Sequence, residues 1–215
     1  MSKSKVHTQQ KILDKALEMF NERGIEYVGL RELAAVLGIR VGNITYYFPT
    51  KDDLVFALSA ELSKSNGSIL VTDENLTITG FLETQYKLFQ NQQRFRCLLL
   101  SFVHIMTQNK KLADVYKHTQ NKRLEAFRKN IRTLAAKGYL KLQQESQADV
   151  LVSALSLIGR FWISEAAISF RNLTGEQQVR HYINLIANLF LPFASARGKK
   201  DIKTFLKEFQ PHYSR

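Results

Sequence analysis

Arg40, Val41, Asn43, Thr45, Tyr46 and Tyr47 place a guanidinium, an amide and three hydroxyls within eight positions. These groups form hydrogen bonds; they do not make a nucleophile with its base, so their chemistry is recognition rather than bond breaking. Their register follows from the apolar residues around them. Leu30, Leu33, Ala34 and Leu37 share one face of a short helix over 30–37. Gly38 ends that helix, and Gly38-Ile39-Arg40-Val41 forms a turn of the length and glycine content found between the two helices of a helix-turn-helix. Ala34 is small enough to let the helices cross closely, and Ile39, Ile44 and Phe48 pin the second helix onto the first. The six residues are left on its exposed side or leading end. In such a unit the second helix enters the DNA major groove with its N-terminal residues on base edges. A Gly-containing turn between short amphipathic helices also occurs in folds that bind no nucleic acid. In that plainer reading Tyr46 and Tyr47 are packing groups and Arg40 is a solvated turn residue.

The elements that must position this turn are equally local. Residues 8–23 place Ile12, Ala16, Leu17 and Phe20 on one helical face, stopped by Gly24. Pro49 stops the helix that follows Gly42. Thr50 is suited to cap a fourth helix, whose Asp52 and Asp53 suit a positive helix terminus. A turn-rich connector is expected over 65–76. Longer helices are expected over 77–91, 93–108, 112–137, 147–171 and 175–194, with a last short one over 199–210. The expected fold class is all-α: a three-helix helix-turn-helix head over 1–65, joined to a helical-bundle body over 66–215.

Residues 8–58 resemble the head of the tetracycline-repressor (TetR) family of bacterial regulators. The likeness rests on Ala16 and Phe20, Gly24, Leu33-Ala34, Gly38-Ile39, Gly42, Ile44, Phe48, and Lys51 followed by Leu54, in the family's order and spacing. It implies base-edge or nearby contacts for Arg40, Val41 and Asn43, DNA within reach of Arg31, and phosphate contacts for Tyr46, Tyr47 and Lys51. It further implies a homodimer on a palindromic operator and a small-molecule effector, with repression the family's usual mode. This chain departs from the family at Gly29, usually threonine, at Thr45, usually tyrosine, and at Tyr47, usually histidine. Thr45 and Tyr47 keep a hydroxyl; Gly29 keeps capping geometry without one. Gly29 and Thr45 are the features that favour the competing reading, a helical ligand-binding or interaction module with weakened DNA binding.

Net charge does not locate the interface. The chain carries +12 overall, but residues 1–65 hold nine Lys/Arg against eight Asp/Glu, and residues 66–215 hold twenty-two against eleven. The stretch 110–141 holds ten against two. It reads foremost as a solvated helix face, with an anionic partner as the alternative. No glycine-rich phosphate loop, His-Glu-x-x-His motif or paired Cys/His spacing is present, and the five histidines do not cluster in sequence. No enzyme activity, catalytic residue, metal or cofactor is expected. The single cysteine, Cys97, reads as a buried, inert thiol. No apolar run approaches a membrane span, and no signal-peptide pattern opens the chain, so a cytoplasmic location without a membrane partner is expected.

The body is rich in aromatic residues. Most of these read as core, while Phe102, His104, Trp162 and Glu165 are the candidates for orienting an effector. The apolar stripes of 150–168 and 179–193 are wider than one core needs, which points to a second burial partner. By resemblance that partner is the same helix pair of a second subunit, with Leu155, Ile158, Ile183, Ile186 and Phe190 in the interface.

Overall fold

The computed structural model describes residues 3–69 and 75–209, with side chains from residue 6. They form eleven α-helices and one short 3₁₀ turn. No strand occurs among the described residues, only an isolated bridge between Leu140 and Ala194. The chain divides into two units. One is Met1–Gly67 with Arg94–Asp114, the other Ser68–Gln93 with Val115–Arg215.

The first unit opens with α1 (Lys3–Arg23), which buries Ile12, Leu13, Ala16, Leu17, Met19 and Phe20. It stops where the Gly24 N–H bonds Phe20 O at 2.9 Å, with Gly24 at φ +92, a conformation that disfavours a side chain. Then come α2 (Leu30–Leu37), α3 (Val41–Tyr47) and α4 (Lys51–Ile69). Thr50 caps α4 as expected. Its hydroxyl accepts from Asp53 N–H at 3.2 Å, while its own N–H donates to the Asp53 carboxylate at 3.1 Å. Because α4 continues through Ile69, the start of the expected connector is helical; residues 70–74 lie outside the described residues.

Arg94–Asp114 belongs to this unit for a visible reason. The Asn21 amide on α1 donates to Arg94 O at 2.8 Å and accepts from Cys97 N–H at 3.0 Å. One side chain thereby satisfies backbone groups left over where α5 (Ile78–Arg94) ends and α6 (Arg96–Leu100) begins. The single helix expected over 93–108 is in fact α6 and α7 (Phe102–Gln108), broken at Ser101. Cys97 is buried here, and loss of solvent pushes its thiol up to about 12, so the sulfur stays protonated.

The second unit is built on most of α5, α8 (Lys110–Ala136), α9 (Glu145–Ser169), α10 (Gly175–Phe190) and α11 (Ala196–Glu208). Phe81 meets Phe127 and Phe190 edge-on, and Phe89 stacks on Trp162 at 4.9 Å. A capping box starts α10: Gln177 N–H reaches the Thr174 hydroxyl at 3.3 Å, and Thr174 N–H reaches the Gln177 amide at 2.8 Å. Gly198 lies so close to the 138–141 turn that a Cβ there would stand 2.2 Å from Tyr139 O. The last expected helix, 199–210, is α11; residue 210 falls outside the described residues.

Among the described residues one helix, α9, is long and apolar enough by length and composition alone to cross a membrane, where no apolar run was expected to approach a span. Seven of its residues, Trp162 and Leu155 among them, are buried against the chain's own helices.

Candidate nucleic-acid interface

The turn between α2 and α3 is set by backbone chemistry. Gly38 takes φ +66, its N–H bonds Ala35 O at 3.1 Å, and Ile39 N–H bonds Ala34 O at 3.0 Å. This pair of bonds is a Schellman motif, and the left-handed residue at its centre favours glycine. Arg40 then holds an extended conformation at the N-cap of α3. Ile44 and Phe48 are buried, as the sequence pattern requires, Thr45 and Tyr47 are half-buried, and Val41, Gly42, Asn43 and Tyr46 are left to solvent.

Arg31, Arg40 and Asn43 are exposed, and their side chains make no hydrogen bond or ion pair among the described residues. Val41 is 39% exposed and Tyr46 is 66% exposed. Tyr47 is half-buried, its ring meeting that of Tyr46 edge-on at 5.0 Å. Gly42 has nothing within 4 Å of where a Cβ would stand, so packing within the chain does not require a glycine there. Gly29 caps α2 in extended geometry without a side-chain bond.

Two candidates are engaged within the chain. The Lys51 ammonium donates to Ile25 O at 2.9 Å and Glu26 O at 3.3 Å, tying the start of α4 to the loop after α1. The half-buried Thr45 hydroxyl donates to Gly42 O at 3.4 Å, a bond that keeps it on its own helix. Burial alone would raise the pKa of Glu26. A hydrogen bond from Ser101, with the charges of His104 and Lys51, outweighs burial and holds the carboxyl below its ordinary value. Sequence reasoning passed over Tyr27, 76% exposed on the loop after Gly24, and Val36, exposed on α2. The signal available for both was an apolar residue outside the periodic core positions.

The four effector candidates fall in two different units. Phe102 is half-buried and His104 exposed, both on α7 in the first unit. Trp162, in the second unit, is core: it stacks on Phe89, and its indole N–H donates to the Gln92 amide at 2.5 Å. Glu165 is exposed on α9. Burial lowers the His181 pKa, and the Glu165 charge acts in the opposite direction. Among the described residues no group of three His, Cys, Asp or Glu could hold a metal.

The residues expected to meet a second subunit need correction. Leu155, Ile183, Ile186 and Phe190 lie in the second unit's own core, so they have no surface left for a partner; Ile158 is half-buried. The exposed apolar residues of α9 are Val150, Leu157 and Ile168, spaced seven and eleven apart and so along one stripe; Leu185 is exposed on α10.

A helix-turn-helix whose second helix presents untied donors, followed by an all-helical unit, defines a class of protein that comparison makes specific. Residues 12–58 match the family described as "Bacterial regulatory proteins, tetR family", and residues 66–202 match one described as "Bacterial transcriptional repressor". The chain belongs to the TetR family. Over 68 residues it is 34% identical to YttP of Bacillus subtilis (strain 168), a probable HTH-type transcriptional regulator, covering 32% of this chain and 33% of that one. Over 59 residues it is 42% identical to the HTH-type transcriptional regulator AcrR of Shigella flexneri, covering 27% of each. The matched stretches span about a third and about a quarter of those proteins' lengths. A TetR-family regulator from Marinobacter aquaeolei VT8 superposes with a TM-score of 0.85 at 19% identity, over 98% of this chain and 100% of that one. A regulator from Saccharomonospora viridis, solved in complex with choline, gives 0.66 at 21% identity, over 84% and 96%. At these identities the two structures speak for the fold alone.

Proposed function

We propose that this protein is a sequence-specific DNA-binding transcriptional regulator, an effector-responsive repressor that sits as a homodimer on a palindromic operator. The observation that carries the reading is the exposed Arg40 and Asn43 of the turn and α3, with Arg31 on α2, whose donors no other group among the described residues occupies. In this reading residues 1–65 bind DNA, and residues 66–215 dimerise and sense the effector. Arg40, Val41 and Asn43 make base-edge or nearby contacts, Arg31 reaches the DNA, and Thr45, Tyr46, Tyr47 and Lys51 hold phosphates. Two heads must enter successive major grooves on one face of the duplex, ~34 Å apart. The exposed stripe of Val150, Leu157 and Ile168, with Leu185, supplies an isologous four-helix interface. Structural neighbours solved with choline and with triclosan support a small-molecule effector. The protein acts in the cytoplasm, where its DNA is, and the reading assigns it no catalytic residue.

A second reading, a helical ligand-binding or interaction module with weakened DNA binding, is favoured by Lys51 and Thr45, whose polar atoms bond backbone carbonyls of the chain. Fluorescence anisotropy over a salt series separates the two, using DNA from upstream of the protein's own gene against scrambled DNA. Selective binding that weakens with salt, and that is lost in Lys51→Ala and Tyr47→Ala with the dimer intact, is the expected result. Equal weak binding to both DNAs would favour the module.

A further inference from the structure

Helices α8 and α9 run side by side in opposite directions and are tied together along their length by polar side chains. At one end the ties are matched in charge: Arg132 pairs with Glu145 at 2.5 Å and Arg128 with Asp149 at 3.0 Å. Further along the seam the pattern changes. Gln120, about nine-tenths buried, donates to the Ser156 hydroxyl at 2.7 Å. Its carbonyl accepts from Tyr116 OH and from Arg123, each at 3.1 Å. Arg160 reaches Ser156 only at 3.4 Å, and lies over the rings of Tyr116 and Phe161 at 5.8 Å from each centroid.

This end has more donors than acceptors. Two guanidinium groups, Arg123 and Arg160, converge on one amide and one hydroxyl. Neither has a carboxylate partner among the described residues, and the Arg160 Nε is buried without any acceptor. Both arginines are half-buried, and a buried N–H left unpaired, as at Arg160 Nε, is costly. The same two helices supply carboxylates to Arg128 and Arg132, so the deficit is local to one stretch of the seam. An arginine fork matches the planar, two-oxygen geometry of a carboxylate, and the Tyr116 and Phe161 rings beside it suit an apolar neighbour.

We propose that Tyr116, Gln120, Arg123, Ser156 and Arg160 form a subsite for the carboxylate of a small organic anion with an apolar body. The subsite deepens the effector-responsive reading above and rests on it for its regulatory meaning. Arg160 and Arg123 clamp the carboxylate, Ser156 can donate its hydroxyl hydrogen to it, and Gln120 positions Ser156 and Arg123.

The test uses the full-length protein and Trp162, the chain's single tryptophan, two residues from Arg160. Trp162 emission and the melting midpoint are followed while benzoate and octanoate are added, with benzamide and octanol as neutral counterparts. The expected result is a saturable response and a raised midpoint with the carboxylates only. Arg160→Met and Arg123→Met should each weaken that response by at least about tenfold, near 1.4 kcal/mol. Arg128→Met, which removes the same charge where Asp149 is the partner, should leave it intact. Without ligand, Arg160→Met should melt at or above the wild-type midpoint, because an unpaired buried donor has been removed. Carboxylates binding no better than their neutral counterparts, or the Arg160 and Arg123 variants responding like wild type, would overturn the subsite. So would Arg160→Met losing stability with its response unchanged, which assigns Arg160 to packing alone. Operator titrations with and without benzoate keep the two readings apart. Anion binding without any DNA binding supports the subsite and counts against the regulator, whereas DNA binding without an anion response sinks the subsite alone.

Discussion

Residues 1–65 hold nine Lys/Arg against eight Asp/Glu, and residues 66–215 hold twenty-two against eleven, yet in the proposed reading the cations that meet DNA are in the first set. Arg31 and Arg40 are exposed and untied. In the second set Arg128, Arg132 and Arg180 pair with carboxylates, Arg171 bonds a carbonyl of its own helix, and Arg197 bonds and covers Tyr139. Exposed lysines of the body, Lys122 and Lys129 among them, also make no hydrogen bond or ion pair among the described residues, so neither net charge nor an untied cation alone locates recognition; in the proposed reading the helix-turn-helix scaffold that carries Arg31 and Arg40 does. Most of the body's ion pairs are exposed and individually worth little. They use up donors without adding much stability.

The largest expected effect breaks the body rather than the face. Trp162→Ala should cost about 3–5 kcal/mol in denaturant unfolding followed by circular dichroism, because it opens a cavity beside Phe89 and strands the Gln92 amide. A small loss would show that Trp162 lines a site instead of the core. On the face, Arg40→Ala should reduce discrimination between operator and scrambled DNA by about 1–3 kcal/mol without moving the melting midpoint. Arg132→Ala, from the paired set, should leave operator binding unchanged. If both variants weakened DNA binding alike, the contrast between tied and untied cations would fail.

Lys51 sits on both sides of the comparison. Lys51→Met should cost about 1 kcal/mol of stability, since two carbonyls lose their donor. It should also lower the salt-dependence slope of DNA binding by about 1 if the ammonium meets a phosphate. Stability loss with an unchanged slope would confine it to the chain. Gly42→Ala should raise stability by about 0.5–1 kcal/mol, because nothing in the chain opposes a methyl there. A simultaneous loss of operator affinity, read by anisotropy, is expected if DNA backbone approaches that bare position.

The smallest effect concerns acid. The Glu26 carboxyl lies below its ordinary value of 4.5, so the stability it contributes is fully present above 4.5 and is lost as pH falls through the lower folded value. Glu26→Gln should therefore flatten the acid limb of a melting-midpoint profile in that window. An unchanged limb would show that the Ser101 and His104 contacts do not matter there.

The head was legible because its determinants are close in sequence. Gly38 had to take a left-handed conformation, Ile44 and Phe48 had to be buried, and Thr50 had to cap α4; each requirement spans a few residues and carries a residue-type signature. The break at Ser101 was not legible, since the apolar pattern runs on through it. Nor was the use made of Lys51, whose type and position suit a phosphate equally well.

The sequence by itself determined the helical class, most of the helices and their order, the head's turn and the short list of side chains on α3. Tertiary structure alone decided what covers each apolar stripe and which polar groups are already engaged. Periodicity shows which side of a helix avoids water, but not what covers that side. Leu155, Ile183, Ile186 and Phe190 could have met a second subunit; they instead fill the second unit's own core and leave Val150, Leu157 and Ile168 outside. Likewise a run of arginines shows charge, and only the antiparallel seam of α8 and α9 decides that Arg128 and Arg132 find carboxylates while Arg160 finds none. Such pairings join residues 13 and 21 positions apart on different helices, where local spacing carries no information.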